Sequence, residues 1–493
     1  MEEQIRTIPS SVIDGIAITP RYRERQLASL HKALLDSRPQ LNTLLVEETL
    51  LSTDEATAQF LLTAKAIKTY HTSVNPKECL DEEYRIAQGK NHTMRRVPYG
   101  CAYIIPSQYD PLYSTIVPVA AAIAAGNCVM IELQQTTSKL GACLKKLMLS
   151  VLSSQTFAIV AQPPNDENFI AKDYVELDGR ETQGTFTTTT HMCTRPGRVV
   201  AVVDRSADIK AAARECVKAR FGFGGHSAYA PDIVLVNEFS AQTFCTAASE
   251  SALHYLAGVD KGKYDDNKSA MSLKQHAGLA TVVQKKLTNS SAKTIIAGDK
   301  GTVALLKDRS SDLLSNKLNT PLLLIVPISS MDDAINYLGQ EKALLRATYF
   351  FCAPPAAKYL GQFIPSSISI VNHIPIELLI GPPAPSGHAV AIQPRYTTDM
   401  FSYAQPEIIE MSRLSRTLSV LVAHDSAIGE KRKAEEAVEI TLHRVKEAFG
   451  PPIGFFEQGL LFGLSCILVT TVTAGAMLMK YGVPAGLPKL RGR

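Results

Sequence analysis

The chain has 493 residues, is 45% hydrophobic and 20% charged, and carries a formal net charge of +4. That length and balance give two or three packed domains and exclude both a disordered chain and a globally basic nucleic-acid binder. Nine scattered cysteines without a C-x-x-C pair point to free thiols in a reducing compartment and no structural zinc, and Met1-Glu2-Glu3-Gln4 opens no secretion signal.

Residues 19–70 read as helices, with Leu27, Leu30, Leu34, Leu41, Leu44 and Leu45 at helical spacing. Residues 96–106 read as one short buried strand closed by turns. A helix follows over 111–125, and Gly126 suits its C-terminal cap; a second buried strand starts at Cys128. Strand, helix, strand in that order is a βαβ unit of an open α/β sheet. Residues 208–221 form a further helix, which packs Cys216 on its apolar side and delivers the chain to Gly225-His226-Ser227-Ala228-Tyr229-Ala230-Pro231-Asp232 and the buried run Ile233-Val234-Leu235-Val236. Residues 426–449 read as a charged amphipathic helix with Val438, Leu442, Val445 and Phe449 on one stripe, stopped by Gly450-Pro451-Pro452. The uncharged run 459–479 is ~31 Å long as a helix, enough for a hydrocarbon core of ~30 Å, and predicts a transmembrane helix. Lys480, Lys489, Arg491 and Arg493 follow it, with Tyr481 at the interface.

The segment 225–232 resembles the nucleophile segment of the aldehyde dehydrogenase superfamily, Gly-Gln-Thr-Cys-x-Ala-Pro-Asp, without a gap. Ala122-Ile123-Ala124-Ala125-Gly126-Asn127 is similar to a second signature of that family, and the resemblance extends from about Thr19 to Tyr403. The helical start and the C-terminal anchor look like those of the class 3, membrane-anchored fatty aldehyde dehydrogenases. The resemblance implies an α/β, aldehyde dehydrogenase-like fold with a C-terminal transmembrane helix. Residues 1–203 would be a degenerate Rossmann-like nucleotide-binding domain with a bridging β-arm at 82–96, meeting a segment near 394–403. Residues 204–390 would be the catalytic-type domain, and 391–425 a return or bridging segment.

The family frame also assigns site positions, and the residues there depart from it. The catalytic cysteine falls on Ala228, whose methyl group cannot attack a carbonyl or carry a thioester. The oxyanion asparagine becomes Tyr109. The general-base glutamate becomes Thr194, whose hydroxyl has no useful basicity near neutral pH. The ribose-binding lysine becomes Glu132, a reversal that costs about 1–4 kcal/mol at ~4 Å from an anionic cofactor. The ribose-binding glutamate becomes Lys317. Asp178-Gly179-Arg180 stands where Thr-Gly-Ser would open a phosphate-facing helix, and Gln183-Gly184-Thr185-Phe186 with four threonines replaces that helix.

Ser227 and His226 are candidates for a replacement nucleophile and base, although serine in a glycine-rich turn more often satisfies backbone groups. Cys193, beside Thr194, is the thiol to keep; Cys216 and Cys245 read as core. The resulting expectation is a membrane-anchored binding or scaffolding protein for a lipophilic aldehyde or other carbonyl compound. It would have no metal, and no cofactor unless activity is retained, in which case NAD or NADP. The alternative is a divergent oxidoreductase for long-chain or polyketide-like aldehydes. Membrane lipid is the expected partner, a homodimer is implied by the family, nucleic acid is not a partner, and the globular part is placed on the cytosolic side.

Overall fold

Leu27, Leu30, Leu34, Leu41 and Leu45 are fully buried on helices Pro20–Asp36 and Arg38–Glu48, as their spacing predicts. The next helix, Thr53–Ser73, starts in a capping box: Ser52 Oγ accepts from the Glu55 N–H at 3.3 Å, and the Ser52 N–H donates to Glu55 Oε2 at 2.8 Å. These elements belong to a computed structural model that describes residues 2–49, 51–133, 138–161, 174–181, 190–256, 281–285, 287, 292–298, 300–315, 317–340, 343–438, 440–442 and 454–481. The chain divides into two units, Met1–Glu410 and Met411–Arg493.

The strands of the first unit are, in chain order, β1 (Arg96–Pro98), β2 (Cys101–Ile105), β3 (Cys128–Glu132), β4 (Phe157–Val160), β5 (Tyr174–Glu181), β6 (His191–Thr194), β7 (Val199–Val203), β8 (Ile233–Asn237), β9 (Lys293–Gly298), β10 (Gly301–Leu305), β11 (Leu322–Ile328), β12 (Ala347–Phe351), β13 (Ser369–Val371) and β14 (Ser402–Ala404). One parallel sheet has the order β4-β3-β2-β5-β6. The other has the order β13-β12-β7-β8-β11-β10-β9 and is parallel except for the β9–β10 hairpin. Parallel strands covered on both faces read as continuous apolar runs, and β2, β3, β7, β8 and β12 are buried throughout.

The predicted βαβ unit is β2, helix Pro111–Ala125 and β3. Gly126 caps that helix at φ 99°. Asn127 then ties the unit together: its Oδ1 accepts from the Gly100 N–H at 3.0 Å, and its Nδ2 donates to the Phe401 carbonyl at 2.9 Å.

Several expected boundaries move. The run 96–106 is two strands, because Gly100 at φ 100° turns the chain between β1 and β2. β1 pairs antiparallel with β14, so the arm is Arg96–Pro98 against Ser402–Ala404; within 82–96 only the Arg96 edge and an isolated His92–Glu407 bridge take part. β7, placed in the first domain by a boundary at 203, pairs with β8 and β12 and opens the second sheet.

In the second unit the expected helix 426–449 is a shorter one, Ile428–Ala437, and Val438 and residues 440–442 are not helical. The β-branched Val438, Ile440 and Thr441 disfavour continuation. Residues 443–450 lie outside the described residues. A helix over Arg413–Val422 occupies part of the segment read as a return. The apolar helix spans Phe455–Tyr481, and its stretch Phe456–Met477 has a mean hydropathy of 2.0 and none of it buried.

Candidate functional site

In the first sheet β2 lies between β3 and β5, so the chain order reverses there, and the crevice at the carboxyl ends of β2 and β5 is the topological switch point. Gly179 stands in that crevice. A Cβ at this position would sit 2.5 Å from the Ser107 nitrogen and 2.7 Å from the Ile105 carbonyl, so the two strand ends are pressed together. β5 runs on through Arg180 to Glu181, and no helix begins at Gly179. Gln183, Gly184, Thr185, Phe186 and Thr187 to Thr189 lie outside the described residues.

Arg180 folds back onto Asp178 with two hydrogen bonds, 2.8 and 2.9 Å. Glu132, at the end of β3, is buried and accepts a 2.6 Å hydrogen bond from the Tyr103 hydroxyl. Burial and the neighbouring Glu132 carboxylate push the Tyr103 phenol up.

The segment 222–232 joins helix Ile209–Phe221 to β8. Gly225 adopts φ 76°, and a Cβ there would lie 2.8 Å from the nitrogen of Pro321. Only glycine permits this approach, which brings the Lys317-to-Pro321 segment against the segment that bears Ala228. Ala228 is fully buried. Its carbonyl accepts from Arg346 Nη1 at 3.2 Å, while Nη2 of the same guanidinium donates to Glu181 at 2.7 Å and to the Arg195 carbonyl at 2.8 Å. Arg346 therefore links the position of the expected nucleophile to the end of β5.

Lys317 donates to Asp232 Oδ2 at 3.1 Å and to the Ala230 carbonyl at 3.2 Å. Asp232 also accepts from Arg220 Nη2 at 2.7 Å and from the Val199 and Leu318 N–H groups at 2.8 and 3.0 Å. The fully buried Arg220 donates to the carbonyls of Ala230, Pro231 and Leu318 as well. Burial lowers the Lys317 amine to about 7; the attraction of Asp232 opposes this, and Arg220 and Arg346 add to it. Burial raises the Asp232 carboxyl, but Lys317, Arg220 and the two backbone donors more than offset that and hold it below the usual carboxylate range.

Tyr109 is buried, with its phenol hydrogen-bonded to Asn319, and burial followed by Glu181 pushes it up against the opposing pull of Arg346. Thr194 closes β6, and its hydroxyl donates to the Arg180 carbonyl at 2.9 Å. The fold thus gathers Tyr109, Ala228 and Lys317 around the Arg346–Glu181 pair, with Thr194 beside it.

Ser227 and His226 form no nucleophile–base couple. Ser227 donates its hydroxyl to the Leu379 carbonyl at 2.7 Å. Burial, then the charge of Arg220, lowers the His226 imidazole. Cys193 is buried on β6; its carbonyl accepts from the Ser386 N–H at 2.9 Å, which seats the loop 381–388. That loop is also held where the Ala384 N–H donates to the Tyr229 hydroxyl at 3.0 Å.

Residues 16–166 match the aldehyde dehydrogenase family. This is an aldehyde dehydrogenase-like chain. It is 21% identical over 369 residues to aldehyde dehydrogenase family 3 member B3 of Mus musculus, covering 71% of this chain and 76% of that protein. It is 23% identical over 424 residues to 4,4'-diaponeurosporen-aldehyde dehydrogenase of Staphylococcus aureus, covering 80% of this chain and 90% of that one. The solved structure of a substrate-bound Staphylococcus aureus AldH superimposes with a TM-score of 0.66 at 18% identity, over 88% of this chain and 98% of that one. The aldehyde dehydrogenase-like fold expected from residues 122–127 and 225–232 is therefore present.

No motif in the sequence marks Arg346, Glu181, Arg220 or Asn319 as part of this aldehyde dehydrogenase-like site. The one sequence signal for them is Arg346 itself, a charge set inside the otherwise apolar run Leu344-Leu345-Arg346-Ala347.

Proposed function

We propose that this aldehyde dehydrogenase-like protein is anchored to a membrane by helix Phe455–Tyr481, lacks cysteine-dependent oxidation of aldehydes by NAD(P), and uses its fold to bind or scaffold a lipophilic carbonyl compound. The observation that carries this reading is at Ala228. The side chain is a buried methyl, its carbonyl is engaged by Arg346, and the neighbouring Ser227 hydroxyl is committed to Leu379. A covalent mechanism at this place has no nucleophile to start from.

The nucleotide positions do not fit a nicotinamide dinucleotide. Glu132 puts a carboxylate where a cation would face the ribose, Lys317 is engaged by Asp232, and the β2–β5 crevice is filled at Gly179 by backbone, with no helix N-terminus opening there for a pyrophosphate among the described residues. Support for a lipophilic ligand comes from the apolar helix, which keeps the protein at a lipid phase, and from the Staphylococcus aureus relative, whose name gives 4,4'-diaponeurosporen-aldehyde as what it acts on. In this reading the globular unit faces the cytosol.

A second reading, a divergent oxidoreductase for long-chain aldehydes, is favoured by the 90% coverage of that relative. Calorimetric titration of the full chain with NAD and with NADP separates the two. Silence up to millimolar cofactor is expected, whereas submillimolar binding supports the oxidoreductase.

A further inference from the structure

We infer that helix Arg413–Val422 lies flat in the headgroup layer of an anionic bilayer, with Leu414, Leu418 and Val422 turned toward the acyl chains and Arg413 and Arg416 on the lipid phosphates. The inference rests on the reading of Phe455–Tyr481 as a membrane anchor.

Leu414, Leu418, Leu421 and Val422 follow the i, i+4, i+7, i+8 pattern and share one face of the helix. Three of them stand in the open, with Leu414 55%, Leu418 41% and Val422 80% exposed. The helix packs against Ile428–Ala437, and that contact leaves the stripe uncovered. The helix holds two arginines and no acid; Arg416 lies opposite the stripe with Arg413 and Ser419 on either side of it, and Ser415 borders the stripe. Its start is capped, since Ser412 Oγ accepts from the Ser415 N–H at 3.0 Å.

An apolar stripe with a cationic, hydroxyl-rich back is the pattern of an interfacial helix, and its charge complements acidic lipid headgroups. Its covalent link to the anchor supplies what a ten-residue helix lacks alone. The tether makes adsorption an intramolecular step, so weak intrinsic affinity suffices. Long arginine side chains reach the phosphates from off the stripe.

The chain contains no tryptophan, so single introduced tryptophans report their own surroundings. Leu418→Trp, Ser419→Trp and Leu461→Trp are each prepared in the full chain and reconstituted in phosphatidylcholine–phosphatidylserine vesicles, with and without brominated acyl chains. The inference expects blue-shifted emission and loss of most of it to bromine at positions 418 and 461, and water-like, unquenched emission at 419. Quenching at 461 without quenching at 418 overturns the inference and leaves the anchor standing. A blue shift at 418 that bromine does not quench means that protein covers the stripe, and this also overturns it. Absence of quenching at both 418 and 461 removes the anchor reading and the inference with it.

Discussion

Lys317 and Asp232 form a buried ion pair at 3.1 Å, with side-chain exposures of 8% and 0%, within reach of two arginines. Burial, together with the repulsion of Arg220 and Arg346, outweighs the attraction of Asp232 and brings the amine from 10.5 to about 7. A base whose folded pKa is depressed contributes stability that is present above its unfolded pKa and lost as pH falls through the folded value. The unfolding free energy should therefore rise between about pH 7 and 10.5. Lys317→Met removes the titrating group, so the slope of stability against pH in that window should flatten; denaturant midpoints measured across the window check it.

Asp232 is the acceptor on which Arg220, Lys317 and two backbone N–H groups converge. Asp232→Ala leaves the buried Arg220 guanidinium without its carboxylate and two buried N–H groups without their acceptor, and the loss should be about 3–5 kcal/mol. Urea unfolding of the chain in micelles measures it. A loss below about 1 kcal/mol would mean that the cluster is solvated.

Asp110 gives a prediction of the opposite sign. Burial raises its carboxyl from 3.8 to about 6, against the pull of the Gly381 N–H and Arg395. A carboxyl raised in the folded state adds stability below its unfolded pKa and loses it as pH rises through the folded one. Asp110→Asn keeps an acceptor for Gly381 and removes the buried charge. It should stabilise the protein by about 1–3 kcal/mol well above pH 6 and have no such effect near pH 4, as thermal unfolding at the two pH values would show.

Ala228→Cys restores the family nucleophile by name only. The new thiol would sit in a fully buried position whose carbonyl is engaged by Arg346, on a chain whose nucleotide positions remain Glu132 and Lys317. The variant should reduce NAD or NADP with an aldehyde no faster than the unmodified chain. An increase of about a hundredfold over that background, measured by absorbance of the reduced nicotinamide, would show that the cofactor positions are competent.

Much of the fold is legible because its signals are local. Leucine spacing gives the entry helices, Gly126 gives a helix end, and the apolar run 233–236 gives β8. The family frame alone assigns roles to the positions of Ala228, Tyr109, Thr194, Glu132 and Lys317. Their partners are not legible, because a buried ion pair has no period: Arg346 meets Glu181 across 165 positions and Ala228 across 118. The second unit departs from its sequence pattern for another reason. A charged, apolar-striped stretch looks helical through Phe449, yet the β-branched Val438, Ile440 and Thr441 disfavour the helix locally. The short Arg413–Val422 helix lies inside the segment that the family frame reads as a return.

The proposed loss of cysteine-dependent chemistry is tested most directly by steady-state nicotinamide reduction with the purified full-length chain in detergent micelles, given saturating NAD or NADP and a series of long-chain aldehydes. A rate equal to that of the heat-denatured control is the predicted result. Turnover at about 1 s⁻¹ or faster, the pace of working enzymes, would contradict it.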